Sequence, residues 1–221
     1  MERRSESHHF FPKLEERLSR PLPGLVAQLN MVPDPRPGNK VYTEVQDSCK
    51  RAGVLVLLYL KGKCVFVVLT RRTELVDRHQ AQISFPGGRQ EEGESLEQTA
   101  LRETCEELGI RSSAIQILGK LTPLYIPPTN YCIYPVVARM TEQPQFKPSP
   151  YEVAEVLEIP LDYLFDPQTV RREMWILHGM NVEVPFYFFE GHKIWGATAM
   201  VLAEFVEILK GIKGGIGNED I

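Results

Sequence analysis

Two uninterrupted apolar runs, Gly53-Val-Leu-Val-Leu-Leu-Tyr-Leu60 and Cys64-Val-Phe-Val-Val-Leu-Thr70, flank the turn Lys61-Gly-Lys63. Run lengths and the turn glycine predict a β-hairpin. A hairpin with one wet face alternates apolar and polar residues. These runs do not alternate, so both faces are covered and the sheet lies between helical layers. That requirement confines the chain to a layered α/β fold. With 221 residues, 43% of them hydrophobic and 24% charged, there is material for one domain with an extension but not for two full-sized domains.

Further along, a strand is expected to end near Ile83 to Phe85, just before Pro86-Gly-Gly88. A helix follows from Ser95 to Leu108, with Ser95 as its cap and Gly109 as its stop. Strands are expected at 114–122, 131–139, 153–159, 172–177 and 182–189, the last two joined through Gly179-Met-Asn181, and a closing helix spans Ala197 to Lys210. Six of the 17 prolines fall in the first 40 residues, and Val32-Pro-Asp-Pro-Arg-Pro-Gly-Asn39 suits neither a helix nor a central strand. Residues 1–50 therefore read as an extension and linker, 51–212 as the domain and 213–221 as a loose tail. Leu14, Leu18, Leu25, Val26 and Leu29 line a helical face broken at Pro21 and Pro23, an arm for the domain or for a second subunit; a homodimer stays open.

The net charge of −4 lacks the basic excess that nucleic acid or an anionic membrane surface demands, so neither is an expected partner. No apolar run approaches the roughly 20 residues that span a bilayer. The opening Met1-Glu-Arg-Arg-Ser-Glu-Ser-His-His-Phe-Phe11 has charge without a secretory apolar core, which makes a cytoplasmic location the default expectation. Cys49, Cys64, Cys105 and Cys132 show neither a CxxC pair nor zinc spacing and read as unpaired thiols without a role.

The chemistry is concentrated in Gly87-Gly-Arg-Gln-Glu-Glu-Gly-Glu-Ser-Leu-Glu-Gln-Thr-Ala-Leu-Arg-Glu-Thr-Cys-Glu-Glu-Leu-Gly-Ile110. On a helix, Leu96, Ala100, Leu101, Thr104 and Leu108 form one face, and Glu103, Glu106 and Glu107 crowd its edge. Like charges at that spacing repel, the more so beside apolar neighbours, and a hard divalent cation bound through oxygen relieves the repulsion. For a bare run of acids, a solvated charged face would be the simpler account.

Gly88, Glu94, Arg102, Glu103, Glu106, Glu107, Gly109 and Ile110 match the Nudix signature G-x5-E-x7-R-E-U-x-E-E-x-G-U, with Thr104 standing where an aliphatic residue is usual. The segment thus resembles the Nudix hydrolases. The resemblance implies an α/β/α sandwich with a mixed sheet and a catalytic loop–helix–loop. It makes Glu103, Glu106 and Glu107 the metal-ligand candidates together with the Gly87 carbonyl, and Glu94 with Arg102 the ion pair that orients the helix. Magnesium or manganese is the implied cofactor, and water attack on a phosphoanhydride the implied reaction. A box glutamate or a distant one takes the water's proton; Glu152 and Glu155 are the outside candidates.

Val68-Leu-Thr-Arg-Arg72 and Phe85-Pro-Gly-Gly88 are similar to the additional motif of the coenzyme A pyrophosphatases. Asp77, with Arg78 beside it, occupies that motif's second arginine position, and Ala81 its glycine. The resemblance implies cleavage of CoA or acyl-CoA, whose extra 3′-phosphate calls for added positive charge. Arg71, Arg72, Arg78 and Arg89 are the substrate-binding candidates, with Phe85 shaping the approach to the glycines. ADP-ribose, a nucleotide sugar or a dinucleoside polyphosphate is the alternative nucleotide substrate. A non-catalytic nucleotide-binding regulator would be expected to lack box acids, and none is lost here.

Overall fold

A computed structural model describes residues 6–35, 48–73, 82–177 and 179–214. The elements are α1 (Glu6–Leu18), α2 (Leu25–Gln28), β1 (Lys50–Lys61), β2 (Cys64–Arg72), β3 (Ile83–Ser84), β4 (Gly87–Arg89) and α3 (Leu96–Leu108), then β5 (Ile115–Lys120), β6 (Leu124–Ile126), β7 (Tyr131–Met140), β8 (Val153–Pro160), β9 (Val170–Leu177), β10 (Met180–Phe189), β11 (His192–Ile194) and α4 (Gly196–Gly214).

The hairpin forms as the apolar runs demand. Lys61 pairs with Cys64 across a two-residue turn, and β1 also lies parallel to β7, giving a mixed eight-stranded sheet with the central order β3-β2-β1-β7-β5. Side chains alternate across β1 although both sets are apolar. Leu55, Leu57 and Tyr59 face α3 through Ala100 and Leu108, whereas Val56 and Leu58 join the opposite core with Phe205, Val201 and Met200 of α4. Both faces are therefore buried beneath helices, an α/β/α sandwich. A second sheet, β11-β10-β9, contributes Tyr187, Phe189 and Ile194 to the α4 side.

The N-terminal arm packs on its own domain. Phe11, Leu14, Leu18, Met31 and Val32 belong to the α4-side core, and α1 continues through Pro12 before the chain breaks at Pro21 and Pro23. The carboxylate of Glu204, fully buried in α4, accepts hydrogen bonds from Gly24 N, Gln28 Nε2, Thr122 N and Thr122 Oγ1. Apolar periodicity does not reveal such a polar clasp.

Two expectations change. Cys49 and Cys132 are joined by a disulfide, so they are not unpaired thiols; Cys64 and Cys105 are free. The pairing follows from the parallel register that sets Arg51 beside Cys132, a contact between residues far apart in sequence. In addition, β4, β6 and β11 add three strands of three residues each that are too short for a periodic signal. None of the described helices is long and apolar enough to cross a membrane.

Candidate active site

Helix α3 starts in a capping box. Ser95 Oγ accepts from Gln98 N at 3.2 Å and Gln98 Oε1 accepts from Ser95 N at 2.8 Å. It ends at Gly109, whose φ of 64° is the left-handed stop that glycine tolerates. The helix lies directly on the strands because Gly53 has no side chain; a Cβ there would collide with the main chain of Leu96 and Ala100. Gly53 in turn pairs with Gly88 across β1 and β4.

This close approach sets the acids against the glycine loop. Glu107 is only 3% exposed, and its Oε2 accepts from Gly87 N at 3.2 Å. Burial pushes its carboxyl up to about 7, against the pull of Arg72 and the Gly87 N–H, and Glu103 and Glu152 push the same way. Glu103, half-buried beside Gly88, is likewise raised by burial, with Arg102 opposing and Glu106 and Glu152 adding.

Arg102 holds the cluster from outside. Its Nε and Nη2 grip the two oxygens of Glu94 at 2.7 and 3.1 Å, while Nη1 donates to Glu103 at 2.8 Å and to Glu106 at 3.2 Å. Hydrogen bonding from Arg102 holds the Glu94 carboxyl down at about 2. Thr99 Oγ1 also donates to Glu94, a brace the sequence reading missed although Thr99 lies on the first turn of the predicted helix. Among the described residues, no three acidic, histidine or cysteine side chains already enclose a common point. The three box acids share one end of the helix, with Arg102 drawing Glu103 and Glu106 aside.

A distant segment completes the cluster. Ser149 N donates to the Glu107 carbonyl at 2.9 Å, and Thr73 N, next to Arg72, donates to the Glu152 carbonyl at 3.1 Å. The 149–152 turn is thereby pinned between the end of α3 and the end of β2, with Glu152 close enough to raise both Glu103 and Glu107. Glu155 has other partners, Arg71 Nε at 2.9 Å and His192 Nε2 at 3.3 Å. The two outside glutamates, equivalent in sequence, are thus separated by their surroundings.

The arginines divide in the same way. Arg72 Nη1 stands 3.6 Å from Glu107, and its buried Nε has no hydrogen-bond partner among the described residues. Arg89 is exposed beside Gly88. Arg71 is engaged by Glu155, and Arg78 lies outside the described residues. At 3% exposure Phe85 is a core residue packed behind the glycine loop, so its ring is closed to substrate.

Residues 50–176 match the model of the NUDIX domain. The chain belongs to the Nudix family. A protein of Photorhabdus laumondii described as an uncharacterized Nudix hydrolase NudL is 30% identical over 181 residues, covering 81% of this chain and 92% of that protein. One of Yersinia enterocolitica with the same description is 34% identical over 145 residues, covering 64% and 72%. The crystal structure of the Nudix hydrolase RenU from M. smegmatis aligns over 81% of this chain and 98% of its own, at 16% identity and a TM-score of 0.48. In this Nudix chain, α3, the Gly87–Gly88 turn and the Glu94–Arg102 ion pair adjoin one acidic cluster.

Proposed function

We propose that the chain is a divalent-metal-dependent diphosphatase that hydrolyses coenzyme A or acyl-CoA to 3′,5′-ADP and 4′-phosphopantetheine or its acyl derivative. The observation that carries the reading is the set of carboxylates around Gly87, in which Glu107 is buried, raised to about 7 and flanked by Glu103 and Glu152. Desolvated, mutually repelling oxygen donors fit a hard cation, magnesium or manganese. Glu103, Glu106, Glu107 and the Gly87 carbonyl would hold it. When bound, such an ion neutralises diphosphate charge and acidifies a water molecule.

The remaining steps belong to the protein's own groups. Glu94 fixes Arg102, and Arg102 fixes the acidic edge of α3. Glu152 accepts the proton of the attacking water as its oxygen bonds to phosphorus and the bridging P–O bond breaks. Arg72, whose Nε has no partner among the described residues, offers a hydrogen bond to a phosphate oxygen. Gly87 and Gly88 leave the main chain bare where the diphosphate must approach.

Support for coenzyme A in particular comes from Val68-Leu-Thr-Arg-Arg72 and Phe85-Pro-Gly-Gly88. A second reading is favoured by Arg71, whose pairing with Glu155 withdraws one cation from any 3′-phosphate site. On that reading the substrate is a nucleoside diphosphate derivative without the extra phosphate, such as ADP-ribose. A panel of CoA, acyl-CoA, dephospho-CoA, ADP-ribose and nucleotide sugars, each with and without magnesium, tests both. Preference for CoA over dephospho-CoA supports the first reading; equal rates select the second. No metal-dependent hydrolysis of any member sinks both.

A further inference from the structure

Tyr151 is 77% exposed, the only aromatic side chain among the described residues to face solvent so openly. Its main chain is nonetheless among the most constrained parts of the site. Pro148 and Pro150 stiffen the approach. Lys147 N donates to the Leu108 carbonyl at 2.8 Å, Ser149 N to the Glu107 carbonyl at 2.9 Å, and Val153 N to the Ser149 carbonyl at 2.9 Å. Thr73 fastens the tip twice, through Oγ1 to the Tyr151 carbonyl at 2.8 Å and through N to the Glu152 carbonyl at 3.1 Å.

The fold gains little from a ring that buries so small a part of its surface, yet it holds that ring's backbone rigidly between Glu107 and Arg72. Such an arrangement suits recognition, since a ring whose backbone is already fixed has less freedom to lose when a flat partner settles on it. We propose that Tyr151 is a specificity residue that stacks on the nucleobase of the diphosphate substrate. The inference rests on the diphosphatase reading and extends it from the phosphates to the base. Stacking requires a π-face but no particular hydrogen-bond pattern, so it selects nucleoside diphosphates over bare pyrophosphate without choosing among bases.

The test is calorimetric binding of ADP and of inorganic pyrophosphate, each with magnesium, to the native protein, Tyr151→Ala and Tyr151→Phe. Tyr151→Ala is expected to weaken ADP about tenfold and to leave pyrophosphate unchanged, with Tyr151→Phe within about twofold of native for both. Equal weakening of the two ligands, an unchanged ADP affinity in Tyr151→Ala, or no ADP binding by the native protein overturns the proposal. Binding is read without turnover, so a failure to hydrolyse any diphosphate counts against the enzymatic reading and leaves the stacking result legible.

Discussion

Gly88 lies so close to Glu103 that a β-carbon added there would fall on the glutamate's carboxyl group. The obstructed atoms end a flexible side chain and can move, at the expense of the cluster's arrangement. At Gly53, on the neighbouring strand, the obstructed atoms are main chain of α3 and cannot. Gly88→Ala is therefore expected to lower hydrolysis at least tenfold with a stability loss below about 1 kcal/mol. Gly53→Ala should cost about 1–3 kcal/mol by pushing the helix off the sheet. Thermal melting beside turnover separates the two; a large stability loss in Gly88→Ala would contradict the first.

The Glu94–Arg102 pair gives the fold an acid-side signature. The Glu94 carboxyl is held at about 2 in the folded protein against 4.5 for a free side chain, chiefly by hydrogen bonding from Arg102. A depressed folded value means the contribution is complete above pH 4.5 and disappears as the pH falls towards 2. Unfolding midpoints measured from pH 6 to pH 2 should fall less steeply in Glu94→Gln than in the native protein. Parallel curves would show that the pair does not titrate this way.

What the sequence disclosed was local. The hairpin, the capped helix ending at Gly109 and the box acids each announce themselves within a few residues, because turns, caps and periodicity are short-range. The division of labour between Glu152 and Glu155 was not legible, since it depends on which strand end each meets: Thr73 and Ser149 brace one, Arg71 and His192 engage the other. Where the Phe85 ring packs was not legible for a related reason, because its motif fixes the chain at the glycines but not the side on which the ring is buried.

The Cys49–Cys132 disulfide closes a sequence separation of 83 residues just before β1, the strand against which the glycine loop pairs. Loop-closure entropy for a span of that size predicts about 4.5 kcal/mol of stabilisation. In a chain of this length that is about 10 °C in melting temperature. Cys132→Ser, and the native protein melted under reducing conditions, should both show the drop. A midpoint indifferent to reductant would mean the bond adds nothing to the folded state.

Glu204 is the polar fastening of the N-terminal arm. Replacing it by alanine strips the carboxylate partner from Gly24 N and from Thr122 N and Oγ1, while Gln28 Nε2 keeps only its bond to the Thr122 carbonyl at 2.9 Å. Stranded donors of that kind predict a loss of about 3 kcal/mol. The arm should loosen before the domain melts, so limited proteolysis is expected to cut near Arg20 in Glu204→Ala under conditions that leave the native protein whole. Unaltered digestion would show that apolar packing alone holds the arm.

Glu152 and Glu155 offer the sharpest contrast, because one faces acids and the other faces cations. Glu152→Gln removes the proposed proton acceptor while keeping size and backbone contacts, so turnover should fall at least a hundredfold with KM and melting temperature nearly unchanged. Glu155→Gln loses a 42% exposed partner of Arg71 and His192, worth under about 1 kcal/mol in so open a setting. Its turnover should stay within a few-fold of native. Turnover within a few-fold of native in Glu152→Gln would move proton transfer to a box glutamate.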